Sequence, residues 1–436
     1  MMPWPPPKNR EDSGERLYAQ VARCSYDAAT IRLPMPAPEH APSVRLPDVL
    51  ARQYARIPLG MRLGLGPMQQ ACARAGHPER ALTVVHVAGT NGKGSVCAMV
   101  EAVARAAGLR TGLYTSPHLS RFAERIRIDG EPLTDDELAE RLGRALDEGP
   151  DLSFFETATL AALLAFRDAR VDVAVLEVGL GGRLDATNVV PKPVAAAITR
   201  IALDHTDRLG PTLVDIAREK AGIAKPGLDI VLGPMTPEVR AAIDEVARAA
   251  GATTSDATDA PLPERLGLPG AHQRDNARIA ATLAARLGLP ASAVDAGLTA
   301  VRWPGRLETI GDMLLDGAHN VDGAEALAAH VRTLGVPPAD VALVFGALAD
   351  KDWPPMLDAV APLAARRVYV ALPGAARAAV DPAALAARHP GRVAPSLEEA
   401  LSAPRPRLTI LCGSLVLVGQ ARTLLLGLPR DPPVAL

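Results

Sequence analysis

In the stretch Val84-Val85-His86-Val87-Ala88-Gly89-Thr90-Asn91-Gly92-Lys93-Gly94-Ser95, an apolar run suited to a buried strand empties into a glycine-dense turn with one lysine and one hydroxyl. Glycines let several backbone N–H groups point inward, the start of a following helix adds partial positive charge, and a lysine supplies a mobile cation. Together these make a phosphate cradle, and the expected ligand is a nucleoside triphosphate with Mg²⁺. The turn departs from the pattern G-x-x-x-x-G-K-[ST], since Val87 stands where the first glycine should be and Gly94 separates Lys93 from Ser95. An ordinary strand-to-helix turn is the plain alternative. Apolar residues at helical spacing from Val96 to Ala107, stopped by Gly108, favour the cradle.

Ser116, Glu177 and His205 each fall just beyond a predicted strand, so a hydroxyl, a carboxylate and an imidazole converge beside this turn. Such a set can hold a divalent ion. Mg²⁺ favours oxygen donors and retained water, so a histidine in the set leaves Mn²⁺ an equal candidate. Each residue also has a plain role: Glu177 paired with Arg183, His205 as a hydrogen-bonded structural residue, Ser116 as a turn or cap. Lys220 lies on a helix predicted over Ile216 to Ala224, where it reads as a solvated lysine pairing with Asp215 or Glu219. The loop Gly179 to Asn188 lets main chain approach a ligand closely, with Asp185 and Asn188 able to orient polar groups. Arg306 follows a Pro-Gly step and reaches phosphate oxygens only if two domains close on each other, and Asp316 at a strand end suits ribose hydroxyls.

Elements that position these residues alternate between strand and helix. Strands are predicted up to Ala88, at Thr111–Thr115, at Val171–Val178 and at Val194–Ile201, with helices at Asp135–Leu146 and Glu156–Ala169. A new series opens with a strand at Met313–Asp316 and continues near Val341–Phe345, Arg367–Ala371 and Leu408–Leu411. Three segments result: a proline- and charge-rich disordered extension at 1–45, a larger α/β domain at 46–301 and a smaller one at 302–436. With 436 residues and 48% hydrophobic content, a chain of this length suits two or three domains. A formal net charge of −2 gives no broad attraction to nucleic acid or membrane. Four cysteines lack C-x-x-C spacing, and no signal peptide or membrane span is evident, so a cytoplasmic protein is expected.

Six motifs in order carry a family resemblance: Gly89 to Ser95, Tyr114 to Leu119, Leu176 to Asn188, Leu203 to Thr206, Arg218 to Ile223 and Leu315 to Asn320. From Leu46 to Arg422 the chain resembles the folylpolyglutamate synthase/dihydrofolate synthase family of the Mur ligase superfamily. The resemblance implies a Mur-ligase-type P-loop domain with a central mainly parallel sheet, followed by a smaller Rossmann-like α/β domain on the nucleotide and glutamate side. It further implies ATP at Gly92, Lys93, Gly94, Ser95, Asn276, Arg306, Asp316 and His319, Mg²⁺ at Ser116, Glu177 and His205, and a carbamylated Lys220. Lys93, Lys220, His205 and Glu177 would carry the chemistry. Pteroate contacts are implied at Gly64, Leu65, Gly66 and Pro67, at Ser153, Phe154, Phe155 and Glu156, and at Leu184, Asp185 and Ala186. Gly66-Pro67 stands where relatives often carry a glutamate-arginine pair. Two adjacent phenylalanines in a chain with 3% aromatics suit a flat pterin ring, and a core role for one of them is equally supported.

The implied reaction joins L-glutamate to the carboxylate of dihydropteroate or a reduced folate through an acyl phosphate, in a monomer that binds small molecules only. A Mur-type ligase acting on a cell-wall precursor would share the ATP machinery but has no reason to carry the 116–119 and 181–188 motifs. A nucleotide-regulated binding module would need only the cradle and a mobile loop.

Overall fold

The computed structural model describes residues 45–57, 64–259, 261–375, 377–402 and 406–431. The extension expected at 1–45 lies outside them except for Arg45, which precedes the helix Leu46–Tyr54. The first sheet contains β1 (Val84–Ala88), β2 (Thr111–Tyr114), β3 (Ile126–Ile128), β4 (Glu131–Pro132), β5 (Val173–Glu177), β6 (Ala195–Ile198), β7 (Asp229–Leu232) and β8 (Thr253–Asp256). Their order is β4-β3-β2-β5-β1-β6-β7-β8, parallel except at one end, where β3 runs antiparallel to both β2 and β4. The second sheet contains β9 (Glu308–Ile310), β10 (Met313–Leu315), β11 (Val341–Phe345), β12 (Arg366–Tyr369), β13 (Arg392–Val393) and β14 (Leu408–Cys412), in the order β13-β12-β11-β14-β10-β9. Only β9 runs antiparallel, against β10, so the second series opens with this short hairpin and not at Met313 as expected.

β1 is buried throughout, covered on both faces, and all but one of its residues are apolar. Val85 and Val87 pack with the helices Lys93–Ala106 and Ala271–Arg286, while Val84 joins the opposite core that holds the helix Phe154–Ala169. His86, also on β1, is buried and bonds through Nε2 to Thr187 Oγ1 at 2.8 Å. The strands missed by the sequence reading are short or sit at sheet ends, where periodicity has few residues to show itself. Parallel alignment brings the carboxyl ends of β2, β5, β1 and β6, four neighbours in the sheet, to one edge. The connections from that edge carry the phosphate turn, Ser116, Glu177 and His205, the place where open α/β sheets take ligands.

The second domain packs across this edge. Ser120 Oγ donates to Gly419 O at 3.2 Å and the N–H of Phe122 donates to Asp431 Oδ2 at 2.7 Å, which ties the loop after β2 to the helix Leu415–Leu426 and the segment beyond it.

Candidate active site

Gly92 caps the helix Lys93–Ala106, which starts three residues earlier than the apolar spacing predicts. Two constraints fix glycine there. Its φ is +92°, and a Cβ would run into the Asn276 amide, 3.1 Å from Cγ. Gly89, at φ +144°, is pressed against Thr199 in the same way. Backbone amides at Gly92–Ser95 are thereby gathered at a helix start, and Lys93 Nζ waits on Thr90 O at 3.0 Å.

Glu177 ends β5 and is 5% exposed. Burial raises its pKa, opposed chiefly by the charge of Lys93, and its Oε2 accepts the Ser116 N–H at 3.0 Å. The plain alternative for Glu177 does not hold, since Arg183 pairs with Glu219 at 2.8 Å. Nor is Lys220 a solvated surface lysine. It is 4% exposed, its Nζ donates to Gly89 O at 2.7 Å, and burial together with Lys93 lowers its pKa to about 7. A buried amine near neutrality is a nucleophile toward CO₂ that a solvated lysine is not.

His205 stands in the left-handed region, φ +52°, ahead of the helix Thr206–Leu209. Burial pulls its pKa down to about 4, against the neighbouring Asp204. Burial alone would raise Asp204, but His205, Lys351 and His319 outweigh it and hold that carboxyl well below the usual range. Lys351 Nζ donates to Asp204 Oδ1 at 2.6 Å and lies 3.4 Å from His205 Nε2. Lys351 escaped the sequence reading. It follows β11 in the charged tract Asp350-Lys351-Asp352 and reads there as a solvated face, although its place after a parallel strand is the signal that singled out the others.

Two cavities meet at this edge. The smaller, about 590 Å³, is lined by Gly92, Lys93, Gly94, Ser95, Ser116, Glu177, His205, Lys220, Asn276, Arg306, Asp316 and His319, which brings all the expected nucleotide and metal residues together. Asp316 accepts the backbone N–H groups of Leu307 and Ala318, its pKa raised by burial and opposed by Arg306. His319, its pKa lowered to about 4 by burial, bonds through Nδ1 to Gly317 O. The larger cavity, about 1580 Å³, is lined by Phe154, Phe155, Arg125, Asp185, Leu203, Lys351 and Arg377 among others. Both cavities include Ser116, Gly179, Asp204 and His205 in their walls.

Several expected substrate residues are tied up in the scaffold, Asp185 among them although it also lines the larger cavity. Ser153 and Glu156 are engaged in a buried capping box, with Ser153 N–H and Oγ–H both donating to Glu156 Oε2, so their side chains serve the start of the helix Phe154–Ala169. Asp185 accepts N–H groups from Gly179, Leu180 and Thr187 and so ties the glycine loop together, while Ala186 is core. Leu184 is half-buried and, like Gly64, Leu65, Gly66 and Pro67, lines neither cavity, the last two opening the helix Gly66–Arg74. Among the described residues no three His, Cys, Asp or Glu side chains are grouped so as to hold a metal ion by themselves.

The segment 87–231 matches the Mur ligase middle domain family and 305–418 matches the Mur ligase, glutamate ligase domain family. A dihydrofolate synthase/folylpolyglutamate synthase from Bacillus subtilis is 37% identical over 345 residues, covering 70% of this chain and 80% of that protein. A folylpolyglutamate synthase from Lacticaseibacillus casei is 35% identical over 397 residues, covering 81% and 92%. The chain belongs to the dihydrofolate synthase/folylpolyglutamate synthase family of Mur ligases. Solved members share its fold. The Escherichia coli enzyme in complex with DHPP and ADP superposes with a TM-score of 0.79 at 31% identity, over 87% of this chain and 98% of that one. A bifunctional member with Mn, AMPPNP and L-glutamate bound gives 0.77 at 34% identity, over 87% and 98%. Of the strands described above, β2 to β6 lie wholly within the first matched segment and β9 to β14 within the second.

Proposed function

We propose that this chain is an ATP-dependent ligase that joins L-glutamate to the carboxylate of dihydropteroate, a reduced folate or both. The observation that carries this reading is the junction of the two cavities at Ser116, Gly179 and His205. A triphosphate seated on Lys93 would present its terminal phosphate where an acceptor stacked near Phe154 and Phe155 presents its carboxylate. An acceptor oxygen attacks the γ-phosphorus, the β–γ bridging bond breaks, and ADP leaves with an acyl phosphate formed. The glutamate nitrogen then attacks the acyl carbon, loses a proton, and inorganic phosphate departs. A carboxylate is a poor electrophile, so the chain's task is to position groups and to balance charge.

Lys93 and the amides of Gly92–Ser95 take up phosphate charge, and Arg306, from the second domain, lines the same cavity. Ser116, Glu177 and His205 fit a divalent cation: a buried carboxylate whose burial is offset by Lys93, a hydroxyl on the cavity wall and an imidazole whose lowered pKa keeps it unprotonated. Mg²⁺ or Mn²⁺ there would neutralise phosphate oxygens. Lys351 and Arg377, on the wall of the larger cavity, are the cations suited to the carboxylates of glutamate. Lys93→Ala is expected to abolish turnover and leave thermal unfolding unchanged; near-normal turnover in that variant contradicts the assignment.

A further inference from the structure

The larger cavity holds one charged side chain that the reaction above leaves unused. Arg125 closes the short helical turn Phe122–Arg125 and is 6% exposed. Its guanidinium carbon lies 5.4 Å from the ring centroid of Phe122 and 5.3 Å from that of Phe154, and its Nε donates to His118 Nδ1 at 2.8 Å.

Among the described residues no carboxylate forms an ion pair with this cation. Glu124, its chain neighbour, turns both oxygens to the N–H groups of Leu119, Ser120 and Arg121, and Glu177 takes the Ser116 N–H. Neither Nη nitrogen of Arg125 donates to a described residue. Neither is sealed off, since Arg278 Nε is the only enclosed and unpartnered guanidinium nitrogen among these residues. The two Nη groups therefore open into the cavity that Arg125 lines with Ser116, Phe155 and Asp185. A cation stripped of most of its water and lacking a counter-ion is costly, and here two rings and an imidazole hold it in one orientation. A fixed guanidinium fork matches a carboxylate.

We infer that Arg125 is the receptor for the acceptor's reacting carboxylate, holding one oxygen while the other faces the phosphate at Ser116. This rests on the ligase reading. The test is calorimetric binding of pteroate and of its primary carboxamide to wild type, Arg125→Lys and Arg125→Gln, each with a non-hydrolysable ATP analogue present. Wild type should prefer the acid by about tenfold to a hundredfold, the range of a charge-assisted hydrogen bond. Arg125→Gln should bring the two ligands within about threefold by weakening the acid alone, with Arg125→Lys between. Analogue affinity should hold in both variants, because Arg125 does not line the nucleotide cavity. An acid-to-amide ratio that survives Arg125→Gln overturns the inference, as does equal loss of both ligands with analogue binding intact. Wild type that binds the analogue but neither pteroate overturns the ligase reading itself.

Discussion

Lys220 is where the surroundings of one residue most change its chemistry. A lysine on a helix with charged neighbours reads from sequence as solvated, and only the fold shows Nζ enclosed against Gly89 O with its pKa brought down to about 7. Carbamylation needs the neutral amine, so at fixed dissolved CO₂ the modified fraction should rise as pH passes upward through about 7. Intact-mass measurement across that range reads the gain of one CO₂, and a modified fraction that is flat or falls with pH contradicts the account. Lys220→Ala should lower kcat by roughly a hundredfold or more, the scale of losing an electrostatic stabiliser. The other site residues divide by the same logic. Lys93, Glu177 and Ser116 were legible because each lies at the end of a strand pattern or in the turn that follows one. Arg125 and Lys351 were not, because arginine in a short irregular turn and lysine between two aspartates look the same as solvated charge until packing encloses them.

At the scale of elements, the phosphate turn is bound to the second domain as well as to its own sheet. Asn91 and Asn320 exchange amide hydrogen bonds at 3.0 Å in both directions, Asn91 Nδ2 also donates to Asp322 Oδ2 at 2.7 Å, and Arg200 reaches the same carboxylate at 2.5 Å. Asn320 caps the helix Val321–Thr333, so the start of that helix registers where the turn lies. Asn91→Ala and Asn320→Ala should each reduce kcat by about tenfold, the worth of one to two hydrogen bonds, and the double variant should lose little more than either. Independent, multiplying losses in steady-state kinetics would show that the two residues do not act as a pair. The long central strands and amphipathic helices that carry these residues were foreseeable from period alone. β3, β4, β7, β8, β9 and β13 were not, since two to four residues, several polar, carry too little pattern.

For the whole molecule, the buried His86 and the half-buried His205 and His319 have lowered pKa values, to about 3, about 4 and about 4, loss of solvation being the main cause in each. An unfolded chain takes up protons on these groups near pH 6.5 while the folded chain refuses them, so their contribution to stability is intact above about 6.5 and lost as pH falls toward 4. The unfolding temperature should therefore drop across that window, and His86→Gln should flatten the drop; an unfolding temperature independent of pH from 6.5 to 4 contradicts the neutral assignments. A second domain followed from the restart of strand-helix alternation after Pro304-Gly305, and a ligand crevice from the polar residues at strand ends, whereas the contacts between the domains through Asn320, Lys351 and Asp431 appear only in three dimensions. Among the described residues no helix is long and apolar enough to cross a membrane. The most direct test of the account is product stoichiometry with ATP, a divalent cation, L-glutamate and either dihydropteroate or a reduced folate. One glutamate should appear on the acceptor, by mass, for each ADP released, with no ADP formed when the acceptor is omitted. ADP release that continues without acceptor, or without glutamate incorporation, would contradict it.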